Sequence, residues 1–306
     1  MSVRSSIIDQ VIEDLVTIKR NNKKEEYPID QLIIFLSSSR NIFSYLYWLF
    51  VHVHKIDSSK VKEVTDYPLS NWDRTMHECL IKMESKKFPG LISLIVDAVF
   101  DYIVSEDRDL VLANFGSGSM EIERQVINKL LKVGFNKKVV FIGFDNSSIV
   151  KDVAKNNLVE LQNNISLLQE DKLDNRILNS VQKAKNNYII ILCNNNIFNV
   201  RKYFKRKSFD LIYHSLFKHH LSEIEKKKLN ELTIYLSNQS FEYDGYRSWF
   251  QMIPQSIFTW KNPVFLSANI FSNLRFPSKS RIRKENEDIK FNKFGYYLVK
   301  HGYFRI

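Results

Sequence analysis

Cysteine is nearly absent from the chain: Cys79 and Cys193 are its only two among 306 residues. Two thiols cannot build a disulfide framework or a cysteine-rich zinc site, so a reducing, cytoplasmic setting is expected. No export segment is expected, because Asp9, Glu13 and Asp14 arrive before any apolar run of signal length. A membrane span is also not expected. The most apolar stretch, Gln31 to Val53, carries Ser37, Ser38, Ser39, Arg40 and Asn41 near its middle, which would be costly in a lipid core. A buried helix or helix pair fits that stretch better. Acids are outnumbered by bases, 45 − 34 = +11. A net charge of this kind speaks to solubility and non-specific binding. A lysine bias spread over the surface is favoured over a nucleic-acid partner.

Apolar residues at 44% and charged residues at 26% are ordinary for a globular chain and exclude disordered and fibrous classes. At roughly 150 residues per domain, two domains are expected. The first reads as a helical module over residues 1–105. Ile7, Val11, Leu15 and Ile18 form one apolar stripe, Ser70-Asn-Trp-Asp opens a later helix, and Leu91 to Val104 is strongly apolar.

From Asp109 the texture changes. Leu110-Val-Leu-Ala-Asn114, Val139-Val-Phe-Ile-Gly-Phe144, Tyr188-Ile-Ile-Ile-Leu192 and Phe209-Asp-Leu-Ile-Tyr213 are short apolar runs, as strands buried on both faces should be. Amphipathic helices separate them: Met120 to Val133, closed by Gly134, and a second capped by Ser147 or Ser148. Alternating strands and helices predict an α/β, Rossmann-like, mostly parallel sheet with helices on both faces, over residues 106–306. Residues 163–187 read as an inserted helix, and Pro277 to Asn292 as a charged loop. The tail from Phe294 reads as strand, His301-Gly302 turn, strand, an antiparallel ending to the sheet.

Polar groups fall where the first three of these strands end, the edge at which open α/β sheets bind ligands. They are Asn114-Phe-Gly116-Ser117-Gly118-Ser119, then Asp145, 145 − 116 = 29 residues after the first glycine, then Asn194-Asn195-Asn196. Glycines allow a sharp turn and close approach of a ligand. A carboxylate at the next tip can accept both hydroxyl hydrogens of a ribose, and a polar side chain on the third can bond an adenine edge. The combination points to an adenosine-containing ligand. Dinucleotides are disfavoured because position 121, where a third small residue is needed, holds Glu121. The Gly-Lys-Ser/Thr loop of nucleotide triphosphatases is absent.

Asp109-Leu-Val-Leu-Ala-Asn-Phe-Gly-Ser-Gly-Ser resembles the first motif of class I S-adenosylmethionine-dependent methyltransferases. Phe141-Ile-Gly-Phe-Asp145 is similar to that family's second-strand motif, and Phe209 to Leu221 to its fourth strand and substrate-facing loop. The resemblance covers about Asp109 to Leu221. It implies S-adenosyl-L-methionine as cofactor, with Gly116, Ser117 and Gly118 beside the methionine part and Asp145 on the ribose. Asn194 or Asn195 would lie at the adenine, and residues near His214 and Ser215 would face the sulfonium and acceptor.

The chain departs from the family at Asn114, which stands where an acid is usual and so lacks a charge for the cofactor's ammonium group. It departs again in the third-strand asparagines and the 194 − 145 = 49 spacing. A competing register takes residues 165–171 as the third strand, with Asp171 at the adenine. Tyr188 to Leu192 is preferred as the more strand-like run.

Candidates for a general base are His214, Tyr213, His219 and His220. No Asp/Asn-Pro-Pro-Tyr/Phe element or Pro-Cys nucleophile is present, which disfavours DNA amino or cytosine carbon-5 methylation. Tyr243, Tyr246, Trp249, Phe250 and Trp260 are expected to divide between core and pocket wall. The expected function is methyl transfer to a small-molecule or peptide acceptor, with residues 1–105 covering the site or forming a homodimer contact. The alternatives are an RNA-binding methyltransferase, for which Arg201 to Lys207 would be a phosphate track, and a non-catalytic scaffold.

Overall fold

The computed structural model describes residues 77–247 and 272–302, apart from 79–80, 83, 86–88, 171–180, 182, 274–275 and 287. The expectations placed on residues 1–76, and on Cys79, Asp171, Trp249, Phe250 and Trp260, lie outside the described residues. The chain divides into two units, Met1–Met76 with Gly245–Glu285 and His77–Asp244 with Asn286–Ile306.

The second unit is built on strands β1 (Leu110–Phe115), β2 (Val139–Asp145), β3 (Ile165–Glu170), β4 (Tyr188–Asn194), β5 (Leu211–Ser215), β6 (Gln239–Gly245), β7 (Ile289–Phe291) and β8 (Tyr296–Gly302). They form one sheet in the order β3-β4-β2-β1-β5-β6-β8-β7. The first six pair in parallel, and β7 and β8 are antiparallel. Its helices are α1 (Ser93–Glu106), α2 (Glu121–Lys132), α3 (Ser148–Leu158) and α4 (Glu223–Leu236).

Side chains alternate between sheet faces with period two, and each face is covered. Leu110, Leu112, Phe141, Leu211 and Tyr213 pack with apolar residues of α1 and α2 on one side. Ala113, Phe115, Val140, Ile142 and Ile212 pack with Leu229, Leu232 and Leu236 of α4 on the other. Burial on both faces is the reason the central strands read as unbroken apolar runs. Helix α2 carries Val126, Ile127 and Leu130 inward, and Gly134 behind it has φ +66°, a backbone that favours glycine. Although the sequence groups residues 91–104 with the N-terminal module, α1 packs on α2 within the sheet unit.

Three expectations are corrected. Residues 165–170 are an edge strand beside β4, not part of an inserted helix; Ser166, Leu167 and Leu168 are half-buried and Gln169 is exposed, so the run lacks the apolar signature of a strand buried on both faces. The C-terminal hairpin lies one element earlier than expected. It joins β7 to β8 through residues 292–295, where Gly295 has φ +94° and Asn292 Oδ1 accepts from the amides of Phe294 and Tyr296, both at 3.0 Å. His301 and Gly302 continue β8. The charged stretch after Pro277 holds helix α5 (Lys279–Glu285) and β7 in place of a loop. In the first unit, the described residues around α5 include a bond from Arg247 N to Pro277 O at 2.9 Å.

Candidate functional site

The tips of β1 and β2 are bonded to each other. Gly116 N and Ser117 N both donate to Phe144 O, at 2.9 and 3.1 Å. Asp145 Oδ2 accepts from Gly118 N at 3.0 Å and Oδ1 from Ser147 N at 2.9 Å. Gly116 and Gly118 have φ +71° and +51°, and Met120, which opens α2, has +55°. Only glycine adopts such angles without steric cost, so the strain of the turn is concentrated at Met120.

Closeness, too, demands glycine. A Cβ at Gly116 would lie 2.4 Å from Phe217 Cδ2, and one at Gly118 2.6 Å from His77 Cε1. These two rings rest on the turn, so a ligand laid along it must displace them. Gly143, which the sequence did not single out, lies inside β2 under the turn; a Cβ there would meet Met120 Sδ at 2.7 Å and Ser117 Oγ at 2.8 Å.

Asp145 and Asn194 are register partners on β2 and β4, so the register running through Tyr188 to Leu192 is the one next to β2. Oriented to satisfy its amide, Asn194 donates to the carbonyls of Asp145 and Asn146, both at 3.0 Å. Asn195 Nδ2 is sealed from solvent without a partner. Asn196 Oδ1 accepts from Phe198 N at 2.9 Å and caps the turn that follows. At position 121, burial opposes ionisation of the glutamate, but bonds from Arg124, Gln125 and Asn157 outweigh it and hold the carboxyl below its usual range. An anionic Glu121 at the start of α2 repels a pyrophosphate, as the dinucleotide argument requires.

The sequence candidates on β5 separate to opposite faces. His214 lies on the α4 side, in register with Glu242 of β6. Its Nδ1 is sealed without a partner, and burial pushes its pKa down to about 4. Tyr213 lies on the α1–α2 side and donates its hydroxyl to Glu123 Oε1 at 2.5 Å. Asn114, its register partner on β1, donates Nδ2 to the same oxygen at 2.7 Å. Tyr213 is therefore not beside His214.

Beyond β5, Leu216 takes φ +53°, a second strained non-glycine position at a strand tip. Phe217 then turns onto Gly116. Lys218 Nζ bonds Glu242 Oε2 at 2.5 Å, and Tyr297 hydroxyl donates to Glu242 Oε1 at 2.7 Å. Burial resists ionisation of Glu242, but Lys218, together with His301 and His214, holds its carboxyl well below the usual range. Asp244 accepts His219 N at 3.0 Å and pairs with His219 Nδ1 at 2.7 Å.

Sequence reasoning missed Glu123, Glu242 and Asp244. The signal for Glu123 was its place on the inward stripe of α2 with Val126, Ile127 and Leu130. For Glu242 and Asp244 it was alternation along one strand. Of the expected phosphate track, Phe204 packs against Phe209 with ring centroids 4.7 Å apart. Lys207 bonds the end of α4 at Ile234 O and Ser237 O, and Arg201, Lys202, Tyr203, Lys205 and Arg206 are exposed. Tyr243 is core, its hydroxyl bonded to Leu91 O. Cys193 is buried.

An open, mostly parallel sheet with helices on both faces and polar tips at one edge is a Rossmann-like fold. In fold the chain resembles class I S-adenosylmethionine-dependent methyltransferases of known structure. One is the magnesium protoporphyrin IX methyltransferase of Synechocystis PCC 6803 with bound SAH, at 11% identity and TM-score 0.45, covering 75% of this chain and 94% of that one. The plantazolicin methyltransferase BamL, in complex with a triazolic analog and SAH, is similar at 17% identity and TM-score 0.41, covering 74% and 77%. An arsenic(III) S-adenosylmethionine methyltransferase of Chlamydomonas reinhardtii is 16% identical with TM-score 0.37, covering 64% of each chain. No family model matches the chain, and no curated protein is similar to it.

Proposed function

We propose that the protein transfers a methyl group from S-adenosyl-L-methionine to a small-molecule or peptide acceptor. The observation that carries this reading is the Asp145 carboxylate bonded to Gly118 N, which holds two strand tips together at the sheet edge. Each Asp145 oxygen accepts one backbone amide and keeps lone pairs for a ribose diol. In the donor set, Asn195 Nδ2 is a buried donor in need of an acceptor such as an adenine ring nitrogen, while a ligand along the glycine turn takes the place of the Phe217 and His77 rings that rest there.

When bound, the cofactor supplies a methyl carbon activated by its sulfonium. Transfer of that methyl would leave the thioether on the residues of the two strand tips, with the acceptor's proton passing to solvent. The chain contributes chiefly alignment, which can supply a large part of such a rate enhancement. His214 is neutral at physiological pH and, with Nδ1 unpaired, orients the acceptor by hydrogen bonding. A base with its pKa near 4 is too weak to be the main source of rate.

Calorimetry with S-adenosylhomocysteine tests the reading. The parent protein binds, and Asp145→Ala loses about tenfold to a hundredfold in affinity, as expected for charge-assisted bonds to a diol. Asp145→Asn, which keeps the shape of the tip, is also weakened. Absence of binding heat, or both variants behaving like the parent, overturns it.

A further inference from the structure

The chain between β4 and β5 crosses the α4 side of the sheet and ends at the edge opposite the glycine turn, where Phe209 bridges to Ser237 ahead of β6. Val200 and Phe204 pack into the core beneath it. Lys207 fastens its end to helix α4: its amide donates to Tyr235 O at 3.0 Å, and its ammonium to Ile234 O at 2.7 Å and Ser237 O at 2.5 Å. This lysine holds φ +59°, a left-handed backbone that residues with a Cβ seldom adopt. Held in this way, the segment presents Arg201, Lys202, Tyr203, Lys205 and Arg206 to solvent. The Arg201 guanidinium lies 4.3 Å from the centroid of the Tyr235 ring, and Tyr203 is 52% exposed. None of the four cations forms an ion pair among the described residues. Lys228, two turns before Tyr235 on the same face of α4, is also exposed, and Glu231 is the one acid between them.

Cations gathered this closely repel one another unless a polyanion shares the surface. Phosphodiesters meet that need, and the aromatic groups narrow the choice. An exposed phenol ring and a guanidinium lying over a second ring offer flat faces to nucleobases, which a carboxylate-rich peptide or a lipid headgroup does not use. We propose that residues 201–206 and the Tyr235 face of α4 form a docking surface for single-stranded nucleic acid. Lys202, Lys205 and Arg206 take the phosphates, and Tyr203 and Arg201 stack on bases. The surface lies away from the glycine turn, so a strand bound there leaves the cofactor site open.

Fluorescence anisotropy of a labelled oligouridylate with the full chain tests this. With roughly four phosphates neutralised, affinity should fall about fiftyfold between about 50 and 200 mM salt. Lys202→Glu and Arg206→Glu should each weaken binding about tenfold at the lower salt, and Tyr203→Ala should do so to a similar degree, about tenfold, by removing a stacked ring. Lys290→Glu makes the same charge change at an exposed position on β7 and should have little effect. S-adenosylhomocysteine should neither compete with the oligonucleotide nor bind the patch variants differently from the parent. A loss in Lys290→Glu equal to that in Arg206→Glu marks diffuse attraction and overturns the site. So does Tyr203→Ala binding like the parent, or phosphatidylserine vesicles or polyglutamate held as tightly as the oligonucleotide and through the same residues. No binding of the oligonucleotide at the lower salt also overturns it. If the oligonucleotide binds as described and S-adenosylhomocysteine does not bind, only the cofactor reading falls.

Discussion

At the scale of single residues, His214 shows what a sealed site does to an ionisable group. Burial costs its charged form more than the neighbouring Glu242 and Asp244 return, so the folded imidazole protonates only near pH 4. The unfolded chain takes up that proton near pH 6.5. Because the folded pKa is the lower one, the stability His214 contributes is present above about 6.5 and is lost as pH falls toward 4. Between pH 7 and pH 5 the loss should be about 2 kcal/mol. Urea denaturation across that range measures it, and His214→Gln, which cannot titrate, should flatten the slope. A slope equal in parent and variant would place the pH dependence elsewhere.

At the scale of elements, the ends of two helices beside the site are secured in different ways. Helix α4 has a capping box: Ser222 Oγ accepts Glu225 N at 3.3 Å while Glu225 Oε2 accepts Ser222 N at 2.8 Å. The leucines of this helix cover one face of the sheet, so loss of the cap is felt in the core. Ser222→Ala should cost about 1 kcal/mol in guanidinium denaturation. Helix α3 also begins after a serine, and the sequence suggests Ser147 or Ser148 as its cap. Ser147 makes no side-chain cap bond; its amide is held by Asp145 instead. Ser147→Ala should therefore lie within about 0.5 kcal/mol of the parent, a contrast that propensity alone does not predict.

At the scale of the whole molecule, the site joins segments distant in sequence, so a ligand there stabilises the sheet unit as a body. S-adenosylhomocysteine at a hundred times its Kd should add about 2.7 kcal/mol, visible in scanning calorimetry as a rise of roughly 5–10 °C in that unit's transition. No shift at saturating ligand would contradict the binding reading.

The chain itself determined the four central strands β1, β2, β4 and β5, the glycine turn and Asp145, because strands buried on both faces leave apolar runs and a tight turn leaves glycines. Where a residue's meaning depends on a distant partner, local pattern was silent or misleading. Residues 166–169 are half-buried or exposed, and so lost the apolar signature; Gly302 suggested a turn that pairing of β7 with β8 places at Gly295. Tyr213 and His214 are adjacent in sequence and face opposite sides of the sheet, which alternation makes inevitable once the strand exists. Asn114 alone reads as a lost charge. Only the packing of α2 on β1 and β5 brings the Glu123 carboxyl to it, since such a contact is set by helix docking and not by any spacing along the chain.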